Sequence, residues 1–251
     1  MQGYMDSQAK CQHRKRLIAS GSVGLDAMGE CVIEVRDLVK KFNGRSAVLD
    51  GVSFSVAEGE FVMIFGKSGC GKTTLLNILG GLDRPTSGHV IVDGQDIVDL
   101  SEDDLAKLRL AEIGFVFQDY NLLMDLTVRE NVALPLKFSK KKNGGRVDKL
   151  LDKFDIQHLA KETANKISGG ESQRAAIARA MMNEPKIILA DEPTGNLDAE
   201  NTGNVMDMFD RVRKEFGTTI VLATHDRELA RHATSRVQLD AGKAVVNKPD
   251  G

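Results

Sequence analysis

A chain of 251 residues, 41% of them hydrophobic, is long enough for one large α/β domain or a core with one subdomain, and it can bury a substantial core. Its 34 basic and 36 acidic side chains leave a formal charge of -2, so no overall basic field marks it for nucleic acid. Cys11, Cys31 and Cys70 are odd in number and show no C-x-x-C pairing, which argues against a disulfide framework or a zinc site and makes a reduced, cytoplasmic compartment the simplest reading.

No apolar run approaches the roughly 18 residues that a membrane-spanning helix requires, so this polypeptide is not expected to cross a membrane by itself. Lys10, Arg14, Lys15 and Arg16 precede Leu17-Ile18-Ala19, but that apolar segment breaks at once into Ser20-Gly21-Ser22 and is too short for a cleavable signal. Residues 1–30 are expected to form a disordered extension or to follow a misassigned start.

From Val32 to Phe42 and from Ala47 to Val56 apolar residues alternate, with Asn43-Gly44 as the turn, which predicts antiparallel strands bordering the core. Phe42 is either a platform for a nucleotide base or ordinary strand packing. Phe61 to Phe65 is a short unbroken apolar run that fits a strand buried on both faces. It runs into Gly66-Lys67-Ser68-Gly69-Cys70-Gly71-Lys72-Thr73, the pattern G-x-x-x-x-G-K-S/T, and then into a helix from Thr73 to Leu79. Glycines let the backbone curl so that successive N–H groups face phosphate oxygens, and the helix presents its positive N-terminus to the same anion. Lys72 is expected to reach the β and γ phosphates and the Thr73 hydroxyl to ligand Mg²⁺.

Beyond a turn at Leu82 to Gly88, His89 to Val92 reads as a further strand. Ser101 followed by Glu102-Asp103-Asp104 reads as a capped helix start, with Leu105 and Leu108 on its apolar face. Ile113 to Phe117 is a second buried strand and ends on Gln118, where α/β sheets bind ligands. Gln118 is either a contact to Mg²⁺ or the attacking water, or a surface glutamine. Residues from about 119 to 165 are expected to be mainly helical, with Thr127-Val128-Arg129-Glu130 as a capping box. The basic stretch Lys137 to Arg146 reads as a solvated loop, with contact to acidic lipid headgroups as the alternative.

Ser168-Gly169-Gly170-Glu171 opens a helix through about Met182 with a Ser cap and Glu at its third position, a second anion-binding helix end. Lys186 to Glu192 is an apolar strand that delivers two carboxylates at its C-terminal edge. Strand alternation sends them in different directions, so Asp191 is expected to hold Mg²⁺ through its waters and Glu192 to polarise the attacking water. Asn196-Leu197-Asp198 lies on the following turn, and Val205, Met208, Phe209 and Val212 give the next helix its core stripe. Thr218 to Thr224 is a β-branched strand ending on His225, at the same kind of strand end as Gln118 and Asp191. A hairpin of Arg236 to Leu239 and Ala244 to Val246 closes the chain.

The ordered set resembles the nucleotide-binding subunit of ABC transporters over about Val32 to Val246. GKSGCGKTT, ending on Thr73-Thr74, looks like the Walker A motif, Gln118 the Q-loop, ISGGE at Ile167 to Glu171 the family signature, and IILADE Walker B. Asn196-Leu197-Asp198 resembles the D-loop and His225 the H-loop. The stretches LLNILGGLDRPTSG, IGFVFQDYNLL, LTVRENVALPL and ADEPTGNLD are similar to the branch of lipoprotein-releasing, macrolide-exporting and cell-division ATPases.

The resemblance implies an α/β fold: a RecA-like P-loop NTPase core with an antiparallel β subdomain and an inserted α-helical subdomain at roughly 100–165, all within 31–251. It implies ATP and Mg²⁺ at Phe42, the loop from Gly66 to Thr74 and Asp191, with Glu192, His225, Gln118 and Lys72 as the catalytic set. Ser168, Gly169, Gly170 and Glu171 would act from the opposite subunit of a homodimer. A separate membrane permease is the implied partner, docked near Gln118 and the helical segment after it, with the subunit on the inner face of the cell membrane and no nucleic acid involved.

Four positions depart from the family pattern: Phe42 for a common Tyr, Ile167 for Leu, Glu171 for Gln and Cys70 for Ser. The acid at 171 places extra charge near the second phosphate site, although a capping role would turn it away; the thiol is expected to make the loop sensitive to alkylation. Two other readings stand beside ATP-driven transport: a mechanical module signalling through a membrane partner to the cell envelope, and a soluble DNA-repair or assembly ATPase. The third is weakened by the lack of a coiled-coil insertion.

Overall fold

Period-two burial builds the first sheet. The structure, a computed structural model, describes residues 31–42, 46–139 and 144–247. The expected extension at 1–30, the Asn43-Gly44 turn and the middle of the basic stretch at 140–143 lie outside the described residues. β1 (Cys31–Lys41) and β2 (Ala47–Ala57) pair antiparallel, with Val35 opposite Phe54 and Lys40 opposite Leu49. In β2, Leu49, Val52, Phe54 and Val56 are buried, while Asp50, Ser53 and Ser55 face solvent. β4 (Ser87–Val92) pairs with the other side of β1 and β5 (Gln95–Asp96) completes the order β2-β1-β4-β5.

The second sheet is assembled from strands buried on both faces. β3 (Phe61–Phe65) is buried at every position, as is β8 (Thr219–Thr224). With β6 (Ile113–Phe117), β7 (Ile187–Asp191), β9 (Ser235–Asp240) and β10 (Lys243–Asn247) they form the order β10-β9-β3-β8-β7-β6. All neighbours run parallel except β10, which folds back on β9 through Ala241 and Gly242, both at positive φ, as a tight hairpin turn requires. The parallel strands therefore end at one edge, which receives Phe65, Phe117, Asp191 and Thr224 together.

Helices cover both faces of this sheet. α1 (Lys72–Leu79) lies between the two sheets: Leu75, Leu76, Ile78 and Leu79 bury against Val62 and Ile64 on one side and Val90 and Val92 on the other. α2 (Glu102–Glu112) begins at Ser101, whose side chain accepts from the Asp104 amide; it buries Leu105, with Leu108 only partly covered. The region after Gln118 is less helical than its apolar spacing predicts. Tyr120 and Asn121 sit at positive φ, and Pro135 turns the end of α3 (Val128–Ala133) into a short 3₁₀ segment. Apart from α3 and α4 (Arg146–Lys153), the described part of this region is loop and single 3₁₀ turns. The Thr127–Glu130 capping box is present.

α5 (Gly169–Ala180) and α6 (Ala199–Phe216) cover the face opposite α1, where Ala175, Ile177, Val205 and Phe209 meet Phe61 and Met63. α5 stops at Ala180 and passes through one 3₁₀ turn, Met181–Asn183, before β7. No helix among the described residues is long and apolar enough to cross a membrane.

Candidate functional site

The chain leaves β3 at Phe65 and must turn into α1 within six residues, which places three glycines where side chains do not fit. A Cβ on Gly66 would stand 2.3 Å from Cys70 Sγ and 2.6 Å from the Leu239 carbonyl oxygen. Gly69 and Gly71 have φ of 78° and 106°, the left-handed region that glycine alone enters without strain. Gly71 is the N-cap residue of α1 and makes no side-chain cap, so the first amides of the helix remain turned toward the loop.

Lys72 is only 7% exposed. Its ammonium donates to the Gly66 carbonyl at 2.9 Å and lies 3.3 Å from Glu192 Oε1. A buried cation thus has two loop carbonyls, that of Gly66 and, at 3.5 Å, that of Lys67, and the Glu192 carboxylate as company, inside the curl of a phosphate-binding loop.

The two acids ending β7 diverge as alternation requires. Asp191 remains in the strand, and its carboxyl is pushed up by burial, an effect partly offset by the Thr73 hydroxyl, while the Glu192 charge adds to it. Its Oδ1 is buried with no hydrogen-bond partner. Glu192 leaves the strand at φ 45°, an unusual conformation for a side chain of this size. Its amide donates to the Ala223 carbonyl at 2.9 Å, which fixes the turn to β8. Its carboxylate spans two partners: Oε1 faces Lys72, and Oε2 lies 3.0 Å from His225 Nδ1 and accepts from the His225 amide at 3.3 Å.

Lys72, Glu192 and His225 border a cleft of about 1030 Å³; Asp191 is not among the residues that line it. Phe42, Gly66, Lys67, Ser68, Gly69, Gly71, Lys72, Thr73, Thr74, Gln118, Glu192 and His225 line it; Cys70 turns back against Gly66 instead. Gln118 is exposed and donates to Asn196 Oδ1 at 3.2 Å, while Asn196 donates back to the Gln118 carbonyl and to Asp119. That exchange ties the end of β6 to the turn after β7.

Ser168, Gly169, Gly170 and Glu171 do not line the cleft. Ser168 caps α5 and is exposed, with Glu171 folded back onto the Ser168 amide at 2.7 Å and hydroxyl at 2.8 Å. Those bonds hold the Glu171 carboxyl below the usual range and keep the extra acid at the helix end, on the Ser168 amide and hydroxyl, so the expectation that capping turns it away is corrected. A Cβ on Gly170 would meet Asn201 Oδ1 at 2.4 Å, and one on Gly169 would meet the Tyr120 hydroxyl at 2.8 Å. Leu197 packs beside Gly169, and Asp198 caps α6 through the Asn201 amide at 2.8 Å. Each chain thus offers a cradle at one place and a second, outward-facing helix end at another.

Sequence reasoning missed Val48, Arg227, Gln238 and Asp240, which also line the cleft. Gln238 sits opposite Phe65 in the parallel β3–β9 pairing. The strand-end argument that found Gln118 and His225 would have found it, had β9 been placed beside β3 rather than read only as half of a hairpin.

A phosphate loop on a central strand, with two acids ending the next strand but one, defines a P-loop ATPase. A family model described as ABC transporter matches residues 49–195. The chain is 46% identical over 220 residues to the macrolide export ATP-binding/permease protein MacB of Syntrophobacter fumaroxidans, covering 84% of this chain and 31% of that one. It is 41% identical over 217 residues to the lipoprotein-releasing system ATP-binding protein LolD 1 of Chlorobium chlorochromatii, covering 85% and 88% of the two chains. The dimeric ATP-binding cassette MJ0796 bound to ADP and Pi matches with a TM-score of 0.80 and 39% identity, covering 87% of this chain and 99% of that one. CbiO1 of Clostridium perfringens, part of the ABC transporter complex cbiONQ, matches at 0.80 and 30%, covering 88% and 89%.

The chain belongs to the ABC transporter family, and it is the ATP-hydrolysing cassette of that family. It spans less than a third of the macrolide-export relative's length and most of the lipoprotein-release relative's.

Proposed function

We propose that two copies of this chain close head to tail on two ATP molecules and that hydrolysis reopens them, driving a separate permease from the inner face of the cell membrane. One observation carries this reading. The cleft around Lys72 gathers the loop, Gln118, Glu192 and His225, while the Ser168 helix end does not line that cleft and is exposed on the same chain, which supports its use by a second copy.

In this reading Lys72 and the loop amides bind the β and γ phosphates, with Phe42 stacking on the base. Glu192 accepts the proton of the attacking water, and His225 fixes the Glu192 carboxylate by holding Oε2. Gln118, linked to Asn196, reports the state of the phosphate side to the turn that carries Leu197 and Asp198. Ser168 and Gly170 of the second copy complete the γ-phosphate shell.

The residues suit Mg²⁺. Asp191 Oδ1 is buried without a partner, Thr73 lies beside that carboxylate, and burial leaves the acid costly to ionise unless a cation compensates. Asp191, Thr73 and Gln118 would hold the ion, which when bound neutralises charge on the phosphate oxygens.

Permease docking is supported by an apolar groove of about 680 Å³ between α2 and the segment after Gln118. Phe115 and Phe117 stack on its floor at 5.8 Å, and Phe138 on its rim is 76% exposed. Exposed aromatic surface of this kind is characteristic of an interface.

Dilution tests the composite site. ATPase activity per molecule is expected to rise with protein concentration across the dimerisation range and then level off. A rate per molecule that stays flat down to the lowest concentrations would contradict it.

A further inference from the structure

Phe42 directly follows β1 and lines the cleft with 43% of its surface exposed. A ring at a strand end is a poor platform unless something fixes its plane, and the group that does so is Lys40. The Lys40 ammonium stands 4.9 Å from the centroid of the Phe42 ring. Lys40 is 9% exposed and does not line the cleft, whereas Phe42 does, so the ammonium meets the ring from within the protein.

The ammonium is itself anchored. It donates to Asp83 Oδ1 and to the Arg84 carbonyl, each at 2.6 Å. Asp83 and Leu82 in turn bond through their amides to the Asn77 carbonyl in the last turn of α1. Two further bonds hold the end of β1 to the same turn, Thr86 N to the Val39 carbonyl at 2.8 Å and Lys41 N to Thr86 Oγ1 at 2.9 Å. α1 therefore begins at the phosphate loop and ends at the mount of the aromatic ring.

We infer that Lys40 is a positioning residue for nucleotide binding: anchored by Asp83 to the C-terminal end of α1, it holds the Phe42 ring in the plane on which the base stacks. The inference rests on the reading of Phe42 as the base platform. A cation against one ring face is favourable electrostatically and also draws on the ring's negative face, which favours a base on the other. Phe42 has no hydroxyl to fix it by hydrogen bonding, so this backing is the restraint that the described residues supply.

The test separates base from phosphate by comparing ADP with pyrophosphate, both with Mg²⁺, in calorimetric binding to the full chain. Lys40→Met keeps the aliphatic stem and removes the charge. It is expected to weaken ADP about three- to tenfold and to leave pyrophosphate within about twofold, and Lys40→Arg is expected to restore ADP binding. Asp83→Asn, which loosens the ammonium without touching the ring, is expected to show a smaller loss of the same base-dependent kind. Equal weakening of both ligands by Lys40→Met, or of neither, would overturn the inference. Phe42→Ala distinguishes the two layers: if it leaves ADP affinity unchanged the platform reading itself fails, whereas if it weakens ADP and Lys40→Met does not, only the role of Lys40 falls.

Discussion

Replacing Glu192 with Gln exchanges one carboxylate oxygen for an amide and keeps the shape. That carboxylate lies 3.3 Å from Lys72 and 3.0 Å from His225. Lys72 loses its nearest anion but keeps the Gly66 carbonyl at 2.9 Å and the nearby charge of Asp191. The cost to the fold should therefore fall below the 3–5 kcal/mol of a fully orphaned buried charge, at about 1–2 kcal/mol. For a domain of this size that lowers Tm by roughly 2–8 °C.

The chemical cost is larger. An amide cannot accept the proton of water, and loss of a positioned base removes about 10²–10⁴ in rate, or about 3–5 kcal/mol of barrier. Binding should move the other way, because a triphosphate no longer competes with Glu192 for Lys72. The expected outcome for Glu192→Gln is thus a kcat reduced at least about a hundredfold in phosphate release, ATP affinity equal to or tighter than the parent's, and a thermal deficit erased by ATP. It should also accumulate closed dimers in ATP. A kcat within about threefold of the parent would refute the role given to Glu192, and so would ATP affinity lost in step with rate.

Two further substitutions probe the scaffold. Gly66→Ala drives a Cβ to 2.6 Å from the Leu239 backbone carbonyl, which cannot swing aside as a side chain would; the loop must shift, at about 1–3 kcal/mol, and equilibrium binding should show ATP affinity down at least about tenfold. Glu171→Ala removes the reciprocal cap on Ser168. Because the folded state holds this carboxyl below its usual range, its contribution is present above the ordinary carboxylate pKa and is lost as pH falls through the depressed value. With the group half-buried at a solvent-facing helix end the effect is modest, about 0.5–1 kcal/mol near neutrality. The Tm difference from the parent, measured from pH 7 downward, should close below about pH 4.

The site was legible where its chemistry is local in sequence. The loop from Gly66 to Thr73, the capped Ser168 turn and the two acids at the end of β7 each depend on neighbours within a few residues, and periodicity places them at strand or helix ends. What escaped was set by distant pairing. Gln238 and Asp240 reach the cleft only because β9 lies parallel to β3, and nothing near residue 238 encodes that partner. The Glu192 clamp between Lys72 and His225 joins the ends of β7 and β8 to the start of α1, and the order of those strands in the sheet is not stated locally by the chain. The expected helical stretch after Gln118 failed for a local reason: apolar spacing continued through positions where Tyr120 and Asn121 turn left-handed and Pro135 interrupts the ladder. Lys40 is likewise set by a distant partner, because its anchor Asp83 lies 43 residues further along the chain.

The central claim is that each hydrolytic site draws Lys72 from one copy and Ser168 from another. Mixing two inactive variants, Lys72→Ala and Ser168→Arg, tests it directly by steady-state phosphate release. In a mixed dimer the intact cradle of one copy faces the intact helix end of the other, so an equal mixture should regain about a quarter of the parental sites and a corresponding rate. A mixture that stays as inactive as its components, although the two variants demonstrably associate, would contradict the account.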